Sequence, residues 1–205
     1  MKHAEELNST LIRLDIEQPV WDMVFTVAPL VIIGSKEGQQ YDLAPKHMAT
    51  PLGFHNYFGF VCTPLHTTFQ NIIDTSEFTV SFPKPRQVIL SSLAAMKRCD
   101  RISKSEQIIE TLPTFKAASI DALFVEDCYL YLECELFKIV DGFDENVLIT
   151  GKVKAAMVDK DYLRTSDRSD QDQIYKNPLL AYISYGRYAN IKETFDFPFP
   201  KDFKR

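Results

Sequence analysis

Between Pro29 and Phe82 the chain alternates short apolar runs with turn and proline breakers, which restricts it to a β-rich fold of short elements. Leu30 to Gly34 is a β-branched run of strand length, closed by a turn at Glu37-Gly38. Pro45 and Pro51 hold the residues before them extended, so Ala44 to Pro51 reads as a pre-ordered loop or edge strand. Gly53 to Cys62 is an aromatic-rich strand that places Phe54, Phe58, Phe60 and Cys62 on one side. Thr67-Thr68 before FQNIID predicts a helix of about two turns with a threonine N-cap. Glu77 to Phe82 alternates Phe78, Val80 and Phe82 with Thr79 and Ser81, the pattern of a half-buried strand. Hydroxyls and free N–H groups are thereby gathered at strand and helix ends, where a flat phosphorylated ligand can lie.

The remainder continues the theme. Val88 to Arg98 carries Ile89, Leu93 and Met96 at helical spacing, and Ser105 to Glu110 predicts a second short helix ended before Pro113. Tyr129 to Val140 and Val147 to Val158 flank a turn at Gly142 to Asn146, a long hairpin. Arg164 to Gln173 is the most polar stretch and reads as a solvated loop, and Leu179 to Ile191 precedes a Phe/Pro tail. Many strands with inserted helices, and no repeat or linker, predict one mainly β domain over residues 1–205: a closed or split antiparallel barrel.

Composition limits the function classes. With 205 residues, 45% hydrophobic and 25% charged, the chain can build one substantial core. A net charge of −5 gives no global attraction for nucleic acid or an anionic membrane. No apolar run approaches the roughly 20 residues that span a bilayer. The N-terminus shows no signal-peptide core, so the expectation is a cytoplasmic protein. Cys62, Cys99, Cys128 and Cys134 contain no CxxC pair, and His3, His47, His55 and His66 form no HxH or HExxH pattern, so no metal site is expected. Cys128 and Cys134 lie an even number apart in a strand-like run and are expected as buried thiols on one face.

Several segments, in order, resemble the flavin reductase-like family with the FMN-binding split-barrel fold. Ala44-Pro45 is similar to its "APxS" loop and Thr68-x-x-Asn71-Ile72 to its "TxxNI" segment. Glu77 to Val80 is similar to "eFvvN", Leu132-Glu133-Cys134 to "leC", Gly151-Lys152-Val153 to "GeV", and Tyr185 to Tyr188 to the closing "gGxY". The resemblance covers roughly residues 20–190 and rests on order and spacing rather than on one motif. Asp42 stands where the family often carries Asn, His47 where it often carries Ser, and Tyr57-Phe58 near its Pro-Pro.

The resemblance implies FMN as cofactor, and the residue chemistry suits it. Thr67, Thr68 and Asn71 at a helix start offer donors for the phosphate dianion, with Lys46 adding charge. Backbone groups of His47, Met48, Ala49 and Thr50 can read the edge of the isoalloxazine ring, Cys62 and Thr63 can flank it, and Arg187 can approach its phosphate or pyrimidine end. Each residue also has a plainer reading. The threonine pair is an ordinary cap, Cys62 a core thiol, the aromatics barrel core or dimer contact, Arg187 a salt-bridged surface residue, and Lys152 and Lys154 a solvated face.

No side chain is nominated as catalytic, because the flavin carries the chemistry. The implied activity is hydride transfer from NAD(P)H to flavin and electron transfer onward to a small-molecule or protein acceptor, by a homodimer. The absence of GxGxxG is compatible with it. The alternatives are an FMN-binding electron carrier or flavin-storage protein without NAD(P)H oxidase activity, and a split-barrel relative that has lost flavin.

Overall fold

The structure is a computed structural model, and it describes residues 10–95 and 111–201. Twelve strands among these form three antiparallel sheets. The largest has seven: β1 (Val27–Pro29) lies outside it, while β2 (Val31–Glu37), β3 (Gln40–Lys46), β4 (Ala49–Pro51), β5 (Tyr57–Cys62), β6 (Glu77–Phe82), β9 (Leu130–Phe143) and β10 (Asn146–Val158) run in the order β3-β2-β6-β9-β10-β5-β4. β1 joins β11 (Leu179–Ile183) and β12 (Arg187–Ile191), and β7 (Thr114–Lys116) pairs with β8 (Leu123–Val125). Three helices accompany them: α1 (Thr67–Thr75), α2 (Val88–Leu93) and α3 (Asp170–Lys176).

The two edge strands of the seven-stranded sheet are consecutive in the chain. Val31 pairs with Lys46 at one edge, and Ala49 pairs with Phe60 at the other. Only His47 and Met48 separate them, a span of roughly 10 Å at most. The sheet must therefore curl until its edges meet, and the Val61 N–H carries the β4–β5 ladder into the crossing by donating to the Met48 carbonyl at 2.8 Å. The result is a split antiparallel barrel with Greek-key pairing of β2 to β6 and β10 to β5.

The barrel interior holds Val31, Ile33, Phe58, Phe60, Phe78, Val80, Phe82, Cys134, Val147 and Ile149, with Ile72 of α1 packed among them. Phe60 meets Phe78 edge-to-face at 5.5 Å. Each such ring contributes about 1.5–3 kcal/mol by leaving water. A second core covers the outside of β2 and β3, where Ile32 and Leu43 meet Leu123, Val125, Cys128, Ala94 and Leu112.

That second core explains two departures from the sequence reading. β6 is buried on both faces, not one: Thr79 Oγ1 donates to the Leu123 carbonyl at 2.5 Å, and Ser81 Oγ accepts the Val125 N–H at 3.2 Å. Its hydroxyls face protein backbone rather than solvent. Cys128 and Cys134 do not share a face either. Cys128 precedes β9 and sits in the outer core, while Cys134 sits inside the barrel. Burial pushes both thiols up to about 12, so both stay protonated and inert near neutral pH.

Other expectations shift at their edges. The aromatic strand begins at Tyr57, which leaves Phe54 in the preceding turn, 89% exposed, instead of beside Phe58. The polar stretch after Arg164 ends in helix α3, where the Ser169 hydroxyl caps the Asp172 N–H. The long hairpin is present, with register shifts that bend it. The helix expected over Val88 to Arg98 ends at Leu93, with Ala94 as its C-cap; Met96 to Arg98, Cys99 and the expected helix at Ser105 to Glu110 lie outside the described residues. No helix among the described residues is long and apolar enough to cross a membrane.

Candidate functional site

The crossing at His47-Met48 divides the candidate residues between two sides. On one side the Lys46 ammonium lies 3.4 Å from Cys62 Sγ and 3.5 Å from His66 Nδ1. Among the described residues no carboxylate pairs with it. His66 is the N-cap of α1, so an uncompensated cation stands at the positive end of a helix dipole. Cys62 is buried, its Sγ donating to the Thr63 carbonyl at 3.6 Å, and Thr63 Oγ1 accepts the Leu65 N–H.

The expected threonine cap is not formed. His66 takes the N-cap position without a side-chain capping bond, because the chain leaves extended geometry one residue earlier than the threonine pair implies. The hydroxyl of Thr68 instead donates inward to Asp42 Oδ2 at 3.0 Å, and the Asn71 amide donates to Ser35 Oγ at 3.0 Å, both buried. These side chains tie α1 to β2 and β3. At the start of α1 Thr67 is half-buried, and the Phe69 N–H already donates to the His66 carbonyl at 3.0 Å.

On the other side, His47 stacks on Tyr182 of β11, ring centroids 4.4 Å apart and 25° from parallel. This pair walls a cleft of about 400 Å³ also lined by Pro45, Val88, Ser91, Ser92 and Arg187. The tight turn from β11 to β12 sets the position of Arg187. Gly186 adopts φ +70°, favourable only for glycine, and its N–H donates to Tyr182 Oη at 3.0 Å. Met48 and Thr50 are exposed between the two sides, while Ala49 turns its methyl into the barrel core, so its small size serves packing there.

The structure thus brings Lys46, Cys62 and Thr63 to the start of α1 with Thr67, and separates them from His47 and Arg187. Tyr182, Ser92 and Val88 were not legible as site residues. They come from three distant segments, and no local spacing marks them.

Burial first, and the Lys46 ammonium second, hold His47 below its usual 6.5. The imidazole is therefore neutral at pH 7. Because the folded value is depressed for a base, the unfolded chain binds the proton more readily, and His47 subtracts stability as pH falls through and below 6.5. An NMR titration of the imidazole is expected to give a midpoint below 6.5; a midpoint at or above it would contradict this environment.

Fold and sheet order together define a split β-barrel protein, the architecture shared by flavin-binding oxidoreductases of one large family. The chain matches the flavin reductase like domain over residues 23–191. It belongs to that family. No curated protein matches it by sequence. Among solved structures it is similar to a 2-nitrobenzoate 2-nitroreductase of Pseudomonas fluorescens, with a TM-score of 0.75, 18% identity, and 96% of this chain and 99% of that one covered. It is also similar to an FMN-binding protein of Thermus thermophilus crystallised with 1-cyclohex-2-enone, with a TM-score of 0.73, 20% identity, and coverage of 91% and 98%. A third is the flavoredoxin of Desulfovibrio vulgaris, with a TM-score of 0.72, 15% identity, and coverage of 93% and 99%. At these identities the likeness establishes the fold.

Proposed function

We propose that the protein binds FMN across the His47-Met48 crossing and works as an NAD(P)H-dependent flavin oxidoreductase that passes electrons to a second acceptor. The observation that carries this reading is the Lys46 ammonium, which has no carboxylate partner among the described residues and is set at the start of α1 beside the barrel seam. A phosphate dianion is the kind of group such a position stabilises. Lys46, Thr63, Thr67 and first-turn amides would hold the phosphate. Exposed backbone at Met48 to Thr50 would read the ring edge. Thr68 and Asn71 support the site by anchoring α1. When bound, the flavin supplies the hydride and electron chemistry. The chain orients it, and the neutral His47 offers a hydrogen bond without adding charge. Exposed Trp21, Phe25 and Val27 before and within β1 provide apolar surface for a homodimer.

The test begins with FMN uptake by the purified chain, followed by its visible absorption. Lys46→Met is expected to weaken FMN affinity about tenfold or more, equivalent to roughly 1.4 kcal/mol or above. Anaerobic mixing with NADH or NADPH is then expected to bleach the bound flavin. Failure to take up FMN defeats the reading outright. Uptake without bleaching would leave a carrier or storage protein.

A further inference from the structure

The cleft beside His47 has a chemistry of its own. Among the described residues that line it none is a carboxylate, although the chain as a whole carries −5. The two other described clefts mix both signs, one holding the Arg164–Asp170 pair and the other Asp161, Asp167 and Asp172 with Arg168 and Lys176. Leu30, Val88 and Ala95 make much of its wall apolar, the His47–Tyr182 stack gives it a flat aromatic side, and Ser92 adds a hydroxyl. With His47 neutral, the one full charge among the described lining residues is the Arg187 guanidinium, which forms no ion pair among the described residues.

Lys46 and Arg187 make different contacts. Lys46 reaches Cys62 and His66 and is not among the described residues lining the cleft, whereas Arg187 lines the cleft and is set by the Gly186–Tyr182 bond. Two cations with separate surroundings can take two anionic groups, of which the proposed cofactor phosphate would be the first.

We propose that the cleft is an acceptor subsite for flat aromatic carboxylates, with Arg187 pairing the carboxylate and the His47–Tyr182 wall receiving the ring. The assignment of the ligand as an electron acceptor rests on the flavin reading above. A guanidinium fork matches a carboxylate bidentately, and an apolar cavity of about 400 Å³ suits a single substituted ring.

Benzoate is the probe, with benzamide as its neutral isostere, titrated calorimetrically into the full chain with and without FMN. Benzoate is expected to bind at least tenfold more tightly than benzamide. Arg187→Leu should erase that preference and Arg187→Lys restore part of it. In the FMN-loaded protein benzoate should also shift the visible flavin spectrum. Equal affinity for the two probes, or a preference that survives Arg187→Leu, overturns the proposal. So does Arg187→Leu weakening FMN binding tenfold, which would give the guanidinium to the cofactor. A parallel titration with NADP⁺ separates the other source of anion: loss of NADP⁺ binding in Arg187→Leu with benzoate unaffected also overturns it. Benzoate selectivity through Arg187 in a chain that takes up no FMN upholds the subsite while the flavin reading fails alone.

Discussion

Alanine at position 34 is expected to lower the unfolding midpoint by roughly 10 °C, one of two large effects that follow from how the β7–β8 segment lies on the barrel. A Cβ on Gly34 would fall 2.2 Å from the Leu123 carbonyl oxygen and 2.3 Å from Thr79 Oγ1. Neither can yield cheaply. The first is backbone of β8, and the second is fixed by its own bond to that carbonyl. β2 and β8 must separate, which opens the outer core around Ile32, Leu123 and Val125 and breaks the Thr79 bond. Overpacking of this kind costs about 3 kcal/mol, and each kilocalorie moves the midpoint by roughly 2–4 °C in a chain of this size. Thermal unfolding of Gly34→Ala followed by circular dichroism measures it; a midpoint within 2 °C of the parent would show that β8 is not seated on β2 as described.

The second large effect belongs to Glu133. It lies on β9, buried, and its carboxylate accepts the Ala118 N–H at 3.0 Å, the Ser119 N–H at 2.8 Å and a short bond from the Ser119 hydroxyl. The loop from β7 to β8 is thus pinned to the barrel wall by one side chain. Burial alone would raise the carboxyl, but the Ser119 hydroxyl and the N–H groups of Ala118, Ser119 and Ile120 together hold it below its usual 4.5. Glu133→Ala leaves these donors without their acceptor and should cost about 2–4 kcal/mol. Glu133→Gln keeps the shape but presents N–H to N–H, and should fall between. The folded-state value is depressed, so the contribution is complete above the usual carboxylate range and is lost as pH falls through the lower folded value. Urea unfolding at several pH values should show parent and Glu133→Gln converging only in acid. A constant gap across that range would mean the carboxylate is not ionised here.

Much of the fold was legible locally because strands and turns are marked by neighbours in sequence. The turn at Glu37-Gly38, the strand of the aromatic segment and the long hairpin all rest on such marks. What escaped was set by distant partners. Thr79 and Ser81 carry an alternating pattern, yet β8 covers them, and nothing within Glu77 to Phe82 announces that cover. The strand-like spacing of Cys128 and Cys134 misleads because β9 starts between them, at Leu130. For the candidate site, the seam residues and Lys46 were readable from the prolines and the helix start. The inward commitment of Thr68 to Asp42 and of Asn71 to Ser35 was not, since those partners sit 26 and 36 residues away.

A final consequence follows from the two-residue crossing. The segment that closes the wall and the segment that fronts the proposed ligand are one piece of chain, so their requirements cannot be met separately. The residue count between β3 and β4 is fixed by this crossing. One added amino acid would slide Ala49 past Phe60 by a single position, invert which faces point inward along that edge, and misplace the recognition surface in the same step.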